Sequence, residues 1–310
     1  MRVAEVDART ASDELLARIV AVEHACWPET NAGEPARGFD EAVAFYRHQP
    51  TTHTSCFWLA DGGFAGLYVH GPAATFLQLR VDPQHRRRGV GSALLAAAIA
   101  RARELGVEVM FADHETGEGA AFAAHHGFSD GQRVVRSLLD LRNAELPEPR
   151  VPDGWALVTW LRRVPDEHLD AFVRVRGSMD DAPDAEGMVF PTATAEKVRE
   201  SEESLARRGR ELRVTVALRE DGEIGSFTDL RVTPGSTLGF TDDTGTVREF
   251  RGLGFAKAVK TASLRSLRED HPQVELVTTS NAEENAVMRH VNDSLGFVPV
   301  RVETTATLKL

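Results

Sequence analysis

The sequence predicts an α/β (α+β) chain built from two similar domains, and three observations carry that prediction. Strand–turn–strand signals alternate with amphipathic helical stretches, the order of these signals repeats once, and a proline-rich run separates the copies. At 310 residues there is room for two domains, each with its own core.

The elements follow in order. "SCFWLADGGFAGLYVH" (55–70) reads as a strand, a tight turn and a strand. "RVTVALREDGEIGSFTDL" (213–230) reads the same way, with Asp221-Gly222 at the turn. A further strand follows in each copy, "TFLQLRV" (75–81) and a segment near "LGFTDDTGTV" (238–247). Each leads into a short Arg/Gly loop, "RRRGVG" (86–91) or "RGLGFA" (251–256), and then a helix with apolar residues at helical spacing, 92–105 or 257–270. Another strand, a short helix and a Gly-Phe pair come next, at Gly127-Phe128 and Gly296-Phe297. "RSLLDL" (136–141) and "TATLKL" (305–310) read as the final strands. Between the copies, Pro147, Pro149 and Pro152 remove backbone donors and fix φ, which predicts an extended linker over 146–153 between domains at 1–145 and 154–310.

Composition narrows the function. The net charge of −11 is shared by both halves: residues 1–150 carry 15 basic against 20 acidic side chains, and 151–310 carry 21 against 27. A nucleic-acid binder would show a basic face, so none is expected as a partner. The local cluster Arg86–Arg88 suits a small anion, and the acidic field favours a cationic second substrate. No apolar run reaches the ~18–20 residues of a membrane span, and "MRVAEVDART" has no signal-peptide core. Cys26 and Cys56 are too few for a disulfide framework or a Cys-rich zinc site. The expectation is a cytoplasmic protein without metal or membrane, monomeric or homodimeric.

A strand running into a glycine-containing loop and then a helix makes an anion site. The first helical turn leaves N–H groups unpaired and carries partial positive charge. Glycine lets a ligand approach them closely, which suits a pyrophosphate. The Rossmann and P-loop fingerprints are absent. Arg86-x-x-Gly89-x-Gly91 and Arg251-x-x-Gly254-x-Ala256 instead resemble the Arg/Gln-x-x-Gly-x-Gly/Ala signature of the GNAT (Gcn5-related N-acetyltransferase) superfamily. The resemblance implies two tandem domains, each a mixed, mostly antiparallel sheet flanked by helices, with acetyl-CoA as acetyl donor. Carried over to this chain, it assigns coenzyme binding to Leu79, Val81, Arg86, Arg87, Arg88, Gly89, Val90, Gly91 and Ser92 in the first half. In the second half it assigns Thr246, Val247, Arg251, Gly252, Leu253, Gly254, Phe255, Ala256 and Asn285.

The superfamily's later pattern, Asn-x-x-Ala-x-x-Leu-Tyr-x-x-x-Gly-Phe, supplies a tyrosine as general acid. Counting back from each Gly-Phe pair puts Ala123 and Asn292 at the tyrosine position, and Thr116 and Asn285 at the asparagine. Strand 75–81 has no carboxylate, whereas 238–247 offers Asp242 and Asp243 as base candidates; strand alternation aims only one of them into a cleft, and a turn or bulge is the other reading of Asp-Asp-Thr-Gly. The segments "SNAEENAVM" (280–288) and "VNDSLGF" (291–297), with Asp243-Thr244 and Lys260, are similar to a bacterial group within the superfamily. The tandem layout resembles the mycothiol synthases, which implies catalysis in the second domain and coenzyme binding alone in the first. "SMDDAPDAEG" (178–187) offers Asp180, Asp181, Asp184 and Glu186 to an ammonium group, against the reading of a solvated acidic loop. His125-His126 reads as a structural or surface pair, and Trp27, Trp58, Trp155 and Trp160 as core; His114 ends a strand where a proton carrier could face the cleft, but the sequence shows no partner for that role.

The function expected is acetyl-CoA-dependent N-acetyl transfer to a primary amine of a small molecule: an amino sugar, amino acid, polyamine or amine-bearing antibiotic. From a different class, the alternative is a non-catalytic acyl-CoA sensor or scaffold.

Overall fold

The computed structural model describes residues 2–31, 33–115, 117–181 and 186–310. They form two compact units that interleave in sequence, one made of residues 1–134, 184–191 and 302–310, the other of 135–183 and 192–301.

In the first unit, β1 (Ala4–Val6), α1 (Asp13–Thr30) and α2 (Phe39–Arg47) precede a meander of β2 (Thr54–Ala60), β3 (Gly63–Gly71) and β4 (Ala74–Val81). Then come α3 (Val90–Glu104), β5 (Val109–His114), α4 (Glu118–His125) and the start of β6 (Ser129–Asp140). Ser12 starts α1 by accepting a hydrogen bond from the Leu15 N–H. Gly62, at φ +69°, makes the tight turn between β2 and β3. One face of the sheet packs on α3 through Leu67, Leu77, Leu94, Leu95 and Ala98; the other packs on α1 and α2 through Leu16, Ile19, Tyr46 and Phe64.

The second unit repeats the plan. After the end of β6 come β7 (Trp155–Leu161), α5 (Leu169–Arg176), α6 (Ala195–Arg207), β8 (Glu211–Arg219), β9 (Ile224–Val232) and β10 (Leu238–Thr246). They are followed by α7 (Phe255–Asp270), β11 (Leu276–Ala282), α8 (Ala286–Asp293) and β12 (Val298–Lys309). Each unit has a mixed, mostly antiparallel sheet, as expected.

The boundary differs from the one the prolines predict. The run Ala144–Pro147 lies along α7 inside the second unit, where Arg268 and Arg265 donate to the Ala144 and Pro147 carbonyls. The final strands are also exchanged. The end of β12 pairs antiparallel with β5, Thr304 to Lys309 opposite His114 to Val109, and completes the first unit's sheet. The end of β6 belongs to the second unit, where Leu139 and Leu141 enter the core with Leu264 and Phe297, and Leu141 N–H reaches the Glu275 carbonyl.

Both units share one irregularity. β4 and β5 are parallel and pair only at Thr75–Met110 and Phe76–Phe111. β10 and β11 pair only from Leu238–Leu276 to Phe240–Thr278. Beyond those pairs the strands part, leaving a wedge that opens toward the glycine loop.

Candidate active site

The two loops are built alike at an offset of 165 residues. A 3-10 turn (Pro83–His85, Arg248–Phe250) leads into each, and Gly89 (φ +80°, ψ 2°) and Gly254 (φ +82°, ψ 3°) hold the same left-handed conformation before α3 and α7. Arg86 Nε donates to the Val81 carbonyl at 3.2 Å, and Arg251 Nε to the Thr246 carbonyl at 3.1 Å. These first arginines therefore lock the loop to its strand. Arg86 also pairs with Glu29 and, at 3.0 Å, with Glu118, so two carboxylates already neutralise it. Arg87 and Arg88 are exposed. Arg87 adopts φ +60°, where the second loop uses Gly252 (φ +79°).

The remaining loop residues divide between packing and access. Val90 and Phe255 anchor the helix starts in the cores. A Cβ on Gly91 would lie 3.0 Å from the Phe122 ring, so glycine lets α3 approach α4. Ser92 Oγ and His126 Nε2 lie 3.0 Å apart, which gives that histidine a structural partner; burial lowers its pKa. Leu253 is exposed at the second loop's tip, and Ala256 opens α7. Leu79 packs against the first core, Thr246 Oγ1 meets Ser226 Oγ at 2.9 Å, and Val247 N–H reaches the Gly225 carbonyl. Asn285 caps α8 by accepting from the Met288 N–H. His114 Nε2 lies 2.8 Å from Asp130 Oδ1. Trp27 and Trp58 are buried in cores, while Trp155 and Trp160 are half-buried. Asp180 and Asp181 close a 3-10 turn after α5, Glu186 is exposed, and Asp184 lies outside the described residues.

Asp242 and Asp243 sit on a β-bulge: pairing with β9 shifts by one residue between Thr241–Leu230 and Thr244–Thr228. The bulge breaks the alternation expected of a regular strand, and each carboxylate has its own arginine. Asp242 pairs with Arg231, and Asp243 Oδ2 accepts from Arg176 Nη2 at 2.5 Å. Behind them is a carboxylate that sequence reasoning missed. Asp229 Oδ1 accepts the Asp243 N–H at 2.7 Å, and its Oδ2 accepts from Arg176 Nη1 at 3.0 Å. One guanidinium thus bridges two carboxylates, and one of those carboxylates holds the bulge. Burial first, and the Asp243 charge second, push Asp229 up to about 7 against the opposing pull of Arg176. The available signal was that Asp229 is the only acidic residue of β9, whose other residues are apolar or hydroxyl-bearing apart from Arg231.

The first unit lacks this set. Opposite its counterpart of the bulge stand Gly66 and Gln78, paired across β3 and β4, and the place of Lys260 on α7 is taken by Leu95 on α3. Gln78 bonds the Tyr68 hydroxyl instead.

Gly245, on β10 opposite Phe227 of β9, is tightly fitted. A Cβ on Gly245 would lie 2.3 Å from Ser178 Oγ and 2.8 Å from the Phe227 ring. Gly245→Val is therefore expected to cost about 1–3 kcal/mol by overpacking, read as a lowered denaturation midpoint.

Comparison with known proteins agrees with this geometry. The acetyltransferase (GNAT) family model matches residues 18–128. A mycothiol acetyltransferase of Saccharomonospora viridis is 28% identical over 250 residues, spanning 78% of this chain and 77% of its own. That of Clavibacter sepedonicus is 30% identical over 231 residues, spanning 68% and 66%. A solved tandem GNAT protein from the clavulanic acid biosynthesis pathway superposes with a TM-score of 0.83 at 27% identity, over 99% of this chain and 98% of that one. The twin loops, the twin wedges and a tandem relative matching end to end give one answer: this chain belongs to the GNAT family, as an N-acetyltransferase with two tandem domains.

Proposed function

We propose that the second unit transfers an acetyl group from acetyl-CoA to a primary amine of a small molecule, while the first unit binds the coenzyme without turning it over. One observation carries the division: both units keep the loop and the wedge, but only the second has charged side chains at the bulge. The residues fit acetyl-CoA. The α3 and α7 N-termini offer N–H groups to a pyrophosphate beside a left-handed glycine, and the parted strands leave backbone groups for the pantetheine arm.

The amine arrives as an ammonium ion and must lose a proton before it attacks. Asp243 is the half-exposed end of the carboxylate pair and meets the ammonium; Asp229 is the buried end. Arg176 bridges the two, and the buried Asp229, pushed up to about 7, is the carboxylate that can hold the amine's proton near neutrality. Asp242, held by Arg231, fixes the bulge from the other side. Asp180, Asp181 and Asp184 remain the proposed attraction for the amine's charge, consistent with the acidic field of the chain.

Calorimetric titration of acetyl-CoA tests this, together with thiol release in the presence of glucosamine, spermidine, lysine and kanamycin. Wild type is expected to bind two molecules per chain. Gly254→Trp should lose one of them and all amine-dependent thiol release, since a bulky side chain at φ +82° strains and blocks the cradle. Gly89→Trp should lose one molecule and keep most of the rate. Equal loss of rate in both variants would overturn the division of labour. Undiminished binding with no amine-dependent release would favour the sensor.

A further inference from the structure

Two buried polar side chains of the second unit, Lys260 and Asn292, are incompletely partnered. Lys260, in the second turn of α7, is 2% exposed and makes no hydrogen bond or ion pair with the described residues; its ammonium lies 5.5 Å from the centre of the Phe297 ring. Asn292, also 2% exposed, donates from Nδ2 to Asn281 Oδ1 at 2.6 Å, while its own Oδ1 is buried with no partner among the described residues. Phe297 N–H bonds to the Asn292 carbonyl, so the residue whose ring lies over Lys260 is tied to Asn292 through the main chain. A buried cation and an unpaired buried carbonyl are each costly unless something polar comes to meet them.

We propose that Lys260 is the general acid of the second unit, placing its ammonium beside the coenzyme sulfur and protonating it as the thiol leaves. This rests on the reading that acetyl-CoA reacts in the second wedge. Asn292 occupies the position where the superfamily pattern has its tyrosine, so the usual proton donor is missing from the second unit, and Lys260 is its buried ammonium, set against the Phe297 ring that follows α8. In the step, the carbon–sulfur bond breaks and sulfur keeps the electron pair. A proton passes from Nζ to sulfur, and the neutral amine regains one from solvent. Burial lowers the Lys260 pKa to about 8, close to that of a thiol, and Asp229 is the charged group whose field opposes that shift. From the far side Lys260 is covered by uncharged Phe297. The first unit has Leu95 at the same place, matching its proposed role of holding the coenzyme only.

Lys260→Met keeps the stem and removes the charge. It should also stabilise the fold at pH 7, because a buried ammonium is no longer held against its preference for water. That gives a folded variant with a direct readout, the titration of free CoA's thiol on the protein, followed by ultraviolet thiolate absorbance. In wild type one of the two bound thiols is expected to ionise at least about tenfold more readily than free CoA, whose pKa is about 8.5 for an ordinary thiol. That signal should vanish in Lys260→Met and in Gly254→Trp, and amine-dependent kcat should fall about 10²–10³-fold in Lys260→Met with the pH limb near 8 removed. Unchanged thiol titration in Lys260→Met overturns the proposal. So does the absence of a shifted thiol in any protein while Gly254→Trp loses one bound CoA, and then the location of the reaction stands. If Gly254→Trp loses no CoA, the location itself is wrong and the proposal falls with it.

Discussion

A chain ending at Arg301 is expected to lose the ordered sheet of its first unit, although the deletion removes only residues far away in sequence. Val302–Leu310 forms the strand beyond β5, with Thr304 to Lys309 in register against His114 to Val109. Ala306 is fully buried in the first unit's core, Leu308 and Leu310 pack against it, and Thr305 Oγ1 donates to Asp113 Oδ1 at 2.6 Å. Removing three core side chains and a six-residue ladder costs several kcal/mol, at roughly 25 cal/mol per Å² of apolar surface and about 1 kcal/mol per hydrogen bond. A small domain has only ~5–15 kcal/mol in total. Hydrogen exchange read by mass spectrometry should show Val109–His114 losing protection, while Glu211–Arg219 in the second unit keeps it. Adding a synthetic 302–310 peptide should restore protection at 109–114. Unchanged exchange at 109–114 would show that the strand is dispensable.

The same exchange shows what the sequence could and could not convey. The loops, their helices and the repeat were legible because each depends on residues within a few positions of one another. The 14-residue spacing from Gly127 and from Gly296 to the end of each final strand is identical, yet it names no partner strand. Pairing of β12 with β5 is set by contacts almost 200 residues apart, such as Thr305–Asp113. Arg86 was read as a phosphate ligand because its carboxylate partners lie 57 and 32 residues away. The alternation rule failed at Asp242 and Asp243 for a local reason, the bulge, which the run Asp-Asp-Thr-Gly signals only as one of two readings. Asp229 and Arg176 were invisible as a pair, since α5 and β9 meet only in the fold. Lys260 appeared only as one letter of a motif. Its burial is what gives it chemistry.

Asp229→Asn separates the fold's interest from the reaction's. Asparagine keeps an oxygen for the Asp243 N–H and loses the charge, so the bulge should survive. With a folded-state pKa of about 7 against the usual 3.8, Asp229 favours the native state fully below about pH 4, where both states are protonated. From there to about pH 7 the unfolded chain releases a proton that the folded chain keeps, and stability falls with rising pH by up to about 1.4 kcal/mol per pH unit. The Asn variant has no such loss. Urea denaturation should therefore find it more stable than wild type at pH 8 and nearly equal at pH 4. Activity should move the other way. Wild-type kcat/KM for an amine that drives thiol release should decline below about pH 7 as Asp229 takes up its proton. The variant should lose that step and about 10²–10⁴-fold in rate. A variant that is more stable at pH 8 but keeps the wild-type pH–rate profile would leave Asp229 as a structural holder of the bulge and move the base elsewhere. The expected result, gain of stability with loss of the acidic limb, requires a carboxylate kept buried at the fold's expense because the amine's proton must go there.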